Sequence, residues 1–319
     1  MNRVELNLPI FDQLAQCKSL LIAGMGGGFD VFCGLPIYFE LKRRGHNLHL
    51  ANLSFADIEG AQHGLRLSKT LVGVTADSRQ VYPYFPEFHL ARWFKEKHGE
   101  TITVWCFEKT GAAPLLENYR LLVEYLSIDG ILLIDGGVDS LIRGDEAEKG
   151  TLIEDATSLF AVHELRQVET RLLACVAMGA EQDITYTHIF ENVAELTQTG
   201  GFLGACALLS KMESYRNFEE AVLFVQGQPL QDSSVINSSL ISAVRGHFGD
   251  YHLIEKTKGS PLWISPLMPL YWCFDLDAVA QRNLFLPLLR DTRTFGDALR
   301  KVLEVTASIS IRLRTRMPL

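Results

Sequence analysis

Short apolar runs closed by glycine or polar residues alternate along the chain with longer stretches of helical period. That alternation is the pattern of a parallel sheet whose two faces are both covered by helices. The runs predict strands at 19–23, 48–53, 70–74, 102–107, 131–134, 171–176 and 251–254, with a late strand at 262–264 or 271–274. Between them, Leu115, Leu116, Tyr119, Leu122, Val123 and Leu126 form one stripe of an amphipathic helix, which Pro114 is expected to begin at its first position. Leu159, Val162, Leu165 and Val168 form a second stripe, and Ile189, Phe190, Val193 and Leu196 a third. Residues 200–246 read as two or three further helices without a strand, an insertion or cap on the sheet. No proline-rich linker or charge block marks a boundary. The expectation is one doubly wound, mostly parallel α/β domain over residues 1–319, Rossmann-like, with about six or seven strands.

The first run ends in Gly24-Met-Gly-Gly-Gly-Phe-Asp-Val. Glycines let a backbone turn sharply and approach an anion, and a following helix offers N–H groups and the positive end of its dipole. Gly24, Gly26, Gly27 and Gly28 are therefore candidate ligand-binding residues, against the plainer reading of a tight structural turn. The dinucleotide fingerprint fails, because Phe29 or Val31 stands where its third glycine belongs and the second strand runs into Ser54 without a carboxylate. NAD is not the expected cofactor.

Two later runs end in the same way, in Asp135-Gly-Gly-Val-Asp and in Gly179-Ala-Glu-Gln-Asp. The carboxyl ends of parallel strands share one edge of a sheet, so Asp30, Asp135, Asp139 and Asp183 can meet in one crevice. Carboxylates of this kind suit either a hard cation, Mg²⁺ or Ca²⁺, held by Asp30, Asp135 and Asp139, or recognition of ribose hydroxyls, with one of the three free to act as general base. Gly136, Gly137 and Arg143 join the ligand-binding set. The competing reading is that each aspartate only caps a helix. Near the end, Thr292, Arg293 and Thr294 precede a helix, where they either bind an anion or leave Thr294 as its cap. The aromatic stretch 81–94 is either a lid or a packing or subunit contact, which leaves a homo-oligomer open. His163 reads as a boundary histidine, and the six separate cysteines as free thiols.

Composition narrows the class of partner. With 30 Lys+Arg against 38 Asp+Glu the net charge is −8, which gives no general attraction to nucleic acid or anionic membranes. The start of the chain lacks an apolar signal segment and no apolar run is long enough to span a bilayer, so a cytoplasmic protein is expected.

The motifs Gly24-Met-Gly-Gly-Gly-Phe-Asp-Val and Ile134-Asp-Gly-Gly-Val-Asp-Ser-Leu-Ile-Arg-Gly-Asp-Glu, and more loosely Thr292-Arg-Thr, resemble a bacterial and archaeal family catalogued as domain of unknown function number eleven fifty-two. The resemblance implies an α/β protein with a glycine-rich first turn. Val138 and Ser140 stand where that family tends to run further glycines. The functional expectation is an enzyme, hydrolase or transferase, that binds a nucleotide, nucleoside or other phosphorylated small molecule. The alternative is a sensor or assembly subunit that binds such an anionic ligand without turnover.

Overall fold

The computed structural model describes residues 10–79, 84–181 and 183–313. Nine strands form one sheet: β1 (Ser19–Gly24), β2 (Asn47–Ser54), β3 (Leu65–Ser68), β4 (Leu71–Val74), β5 (Val104–Glu108), β6 (Gly130–Asp135), β7 (Thr170–Cys175), β8 (Phe202–Ala207) and β9 (Leu270–Asp275). Their spatial order is β3-β4-β5-β2-β1-β6-β7-β9-β8. The five central strands, β5 to β7 in that order, are parallel, and the strands on both flanks pair antiparallel. Chain order runs outward from β1 through β2 to β5, then restarts on the other side of β1 with β6. The topological switch therefore lies between β1 and β6, where open α/β sheets bind ligands.

Alternation of side chains divides the apolar runs between two cores. Leu20, Ile22, Leu132 and Ile134 face one core, together with the helices Leu35–Arg43, Glu213–Gln226 and Val235–Val244. Leu21, Ala23, Ile131 and Leu133 face the other, with the helices Ala112–Leu126, Leu152–His163 and Tyr186–Gln198. Strands buried on both faces must be apolar at every position, which is why β1 and β6 show as unbroken runs.

Four expectations are corrected. The segment 200–246 contributes edge strand β8 before its two helices, and those helices cover a sheet face. Its strand is hidden in the sequence because Gly204 and the small residues around it carry no alternation. The short strand β3 also went unpredicted, its exposed Leu65 and Arg66 lacking an apolar face. Residues 251–254 and 262–264 form no strand, Ile264 making only an isolated bridge to Gly249; the late strand is β9. The helix around Pro114 begins at Ala112, since a proline anywhere in a first turn leaves no helical hydrogen bond unmade.

The described part of the aromatic stretch is packing: Phe85, Trp93 and Phe94 are buried, and Phe39 stacks on Phe94 at 5.7 Å. Residues 81–83 lie outside the described residues. All six cysteines are free thiols and five are buried.

Candidate functional site

At the switch point, the segments after β1, β6 and β7 and the start of the helix Leu152–His163 enclose a cavity of about 440 Å³. Its walls carry Asp30, Asp135, Asp139, Asp155, Glu181 and Asp183, with Thr151, three small residues of the turns (Gly26, Gly27, Gly136), and an apolar side of Ala180, Val235 and Ile236. Among the described residues no Arg, Lys or His lines it. A larger groove of about 800 Å³ lies against the helix Leu35–Arg43, but its charges already pair, Lys42 with Glu100 and Arg43 with Glu40. Its unpartnered buried polar atom is Nε2 of the half-buried His98, whereas in the smaller cavity both oxygens of the buried Asp155 are unpartnered among the described residues and several carboxylates converge.

Local structure explains how the carboxylates are held. Asp30 accepts a hydrogen bond from Gly26 N–H at 2.7 Å, and a side chain at Gly26 would fill the space between Asp30 and Asp155. Asp135 accepts from the backbone N–H and the hydroxyl of Ser140. Asp139 accepts from Thr151 N–H at 3.0 Å and from its hydroxyl at 2.9 Å. Glu181 accepts from Val138 N–H at 2.8 Å. Asp155 is 1% exposed, and neither of its oxygens meets a donor among the described residues. Its close neighbour is Asp139, and two carboxyls can bond only by sharing a proton.

Burial without a compensating cation disfavours the ionised forms. Burial pushes Asp30 up to about 7, a shift that the Gly26 N–H opposes and the charge of Asp139 reinforces. Asp135, Asp155 and Glu181 are pushed further up, by burial first and then by the charges of their neighbours. Asp139 is raised by burial as well, with Thr151 working against the shift. One oxygen each of Asp30, Asp135 and Asp155 lie within 4.8 Å of one another. Oxygens sharing one Mg²⁺ or Ca²⁺, bound at about 2.0–2.6 Å, lie at most about 5 Å apart, so the donor set fits a hard divalent ion in type and span.

Of the residues singled out in the sequence, the cavity gathers Gly26, Gly27, Asp30, Asp135, Gly136, Asp139 and Asp183. Gly24 lies beneath the turn, where the Asn52 side chain takes the space a side chain would need, accepting from Val31 N–H and donating to Gly28 O at 2.8 Å. Gly28 packs against Phe55, and a side chain at Gly137 would run into the Glu181 carboxylate. Arg143 stands apart, its N–H donating to Glu146 in a network closed by Arg312. Thr292 and Arg293 anchor another helix: the Thr292 hydroxyl accepts from Ala112 N–H and Arg293 O from Gly111 N–H. Thr294 caps the helix Phe295–Thr306. His163 pairs with Asp277 at 2.8 Å, far from any catalytic arrangement.

Sequence reasoning missed Asp155. Its signal was the run Glu154-Asp-Ala-Thr-Ser, polar positions that the helix Leu152–His163 buries outright where an apolar stripe would serve packing better.

An α/β sheet with an acidic cavity at its strand switch is the class that fold and site define. The chain belongs to the family described as Protein of unknown function (DUF1152), whose model matches residues 21–312. No curated protein and no solved structure matches it.

Proposed function

We propose that the protein is a divalent-cation-dependent enzyme, a hydrolase or transferase, acting on a nucleotide-like or otherwise phosphorylated small molecule in this cavity. The observation that carries the reading is the convergence of Asp30, Asp135 and Asp155 oxygens within 4.8 Å, with Asp155 left unsatisfied in the interior. Buried carboxylates without partners are costly, and a cation is the neighbour that removes that cost. A bound divalent ion would supply charge neutralisation and polarise an oxygen of the substrate. Asp139, oriented by Thr151 and outside the three-oxygen set, is placed to take a proton from an attacking hydroxyl or water.

Calorimetric titration with Mg²⁺, Mn²⁺ and Ca²⁺ tests this reading. Binding with a stoichiometry of about one ion per chain, released protons and its loss in Asp155→Asn are the expected results. Equal binding by parent and variant would remove the cation role. Turnover of phosphorylated substrates that needs the ion would then separate an enzyme from a sensor.

A further inference from the structure

In the cation-dependent reading one wall of the cavity holds the cation, and an anionic substrate needs a second, positive wall. At the glycine turn Gly26 N–H is already given to Asp30, and the Phe55 ring occupies the side-chain space of Gly27 and packs against Gly28. Val235 and Ile236 line the cavity as the first two residues of the ten-residue helix Val235–Val244. The first-turn N–H groups of a helix have no partner inside it. Here the Ser234 side chain takes the N–H of Asn237, and Ser238 N–H begins the helical ladder on Ser234 O, leaving the N–H groups of Val235 and Ile236. The helix is fixed in place by Asn237, which donates to Phe29 O at 3.2 Å beside the glycine turn. Asp155, buried and unpartnered in the same cavity, independently marks the space as built for a ligand.

We infer that the N-terminus of the helix Val235–Val244 is the anion seat of the cavity, receiving the phosphate of a substrate whose other contacts are a cation on Asp30, Asp135 and Asp155. The inference deepens the cation-dependent reading and rests on it for the second contact. It assigns the substrate a phosphate or equivalent oxyanion and places that group on the Val235–Ile236 side, away from Phe55. Helix N-termini bind anions through oriented N–H groups and the positive end of the dipole, and the carboxylate-rich wall confines the anion to that end.

Val235→Pro removes one of the two N–H groups while keeping the helix. Proline is tolerated at the first helical position, and Ser234, at φ −76° and ψ 122°, already has the backbone that precedes a proline. The Mg²⁺-saturated parent is titrated with inorganic phosphate and compared with Val235→Pro and Val235→Ala. Affinity lower by about tenfold in the proline variant, and unchanged in the alanine variant, is the expected result, as befits one charge-assisted hydrogen bond. Mg²⁺ affinity stays the same in all three. Ser234→Asp is the second test, since aspartate also caps the helix but repels phosphate; it too should weaken phosphate and spare Mg²⁺. Equal phosphate affinity in parent, Val235→Pro and Ser234→Asp, or no phosphate binding by the parent, overturns the inference. Failure of Mg²⁺ to bind the parent would sink the cation reading separately; phosphate binding that Val235→Pro weakens would still uphold the anion seat.

Discussion

Two groups of carboxylates draw on the loop after β6, and they are built on opposite principles. Glu146 and Asp145 are enclosed by donors: Arg312 reaches both at 2.7 and 3.0 Å, Asn192 donates to Glu146 at 2.8 Å, and the N–H groups of Arg143 and Gly144 complete the set. Burial pushes the Glu146 carboxyl up, but those hydrogen bonds outweigh it and hold it below its ordinary value. Asp30, Asp135, Asp139 and Asp155 are also buried and Glu181 is half-buried, with backbone and hydroxyl donors only and no cation among the described residues of the wall, and all five are raised. A structural ion cluster satisfies itself within the fold. A cluster that remains unsatisfied stores its energy for something that binds, and that difference, more than acidity, distinguishes a site from a brace.

The sharpest way to break the comparison is to remove one member of each group. Arg312→Ala leaves Glu146, 1% exposed, without its guanidinium, and should cost about 3 kcal/mol of stability, as expected for breaking a buried ion pair from one side. Asp155→Asn should act in the other direction, stabilising the metal-free chain by about 2 kcal/mol at pH 8, because the parent carboxylate, ionised in the unfolded chain, must take up a proton or bury its charge in order to fold. Chemical denaturation of both variants in chelator measures the two signs. A destabilised Asp155→Asn would mean that Asp155 is internally satisfied and the contrast is false.

Smaller, but of opposite sign in the two regions, is the effect of pH. Carboxyls raised in the fold stay protonated where the unfolded chain, with pKa values near 4, has already released its protons. Their contribution is full below about pH 4 and is lost as pH rises through the folded values, about 7 in the case of Asp30. Glu146, lowered in the fold, contributes above its unfolded value and loses that contribution as pH falls through its folded one. Between pH 6 and pH 8 the cavity titrates and Glu146 does not, while Glu87, which burial beside Asn52 raises to about 7, adds a share that a cation in the cavity leaves untouched. The metal-free protein should therefore melt lower at pH 8 than at pH 6, and saturating Mg²⁺ should narrow the gap. Identical melts at both pH values in chelator would show that the cavity carboxylates are not raised.

How much of this was readable in the sequence follows from which forces were local. The parallel core was legible because strands buried on both faces leave unbroken apolar runs, and Asp30, Asp135 and Asp139 were legible because the chain turns at every strand end. Of the antiparallel flanks β4 and β9 were legible too, but the edge strands β3 and β8 were not, since their partly exposed faces carry no periodic signature. Asp155 and Val235 enter the cavity from helices, where a polar residue looks like a solvent face and an apolar one like core until the neighbouring elements are in place. The glycine turn was located correctly, but the ring that covers it comes from the end of β2, and no local pattern announces that contact.

The turn itself gives the smallest effect and the finest test. Gly27 has φ +101°, a conformation that a side chain strains, and its missing side chain leaves room for the Phe55 ring. Gly27→Ala should therefore lose about 1 kcal/mol from strain and about another 1 kcal/mol from the displaced ring. Phe55 is 48% exposed and can swing outward, so the second part is recoverable. In a Phe55→Ala background only the strain remains, and the double-mutant cycle should return a coupling of about 1 kcal/mol. The same cycle read by phosphate affinity separates the two walls of the cavity. If the anion seat is the helix at Val235, neither Gly27→Ala nor Phe55→Ala changes phosphate binding by more than about twofold, a difference of about 0.4 kcal/mol. Phosphate binding that strengthens when Phe55 is removed would instead place the anion on the glycine turn, with the ring as its competitor.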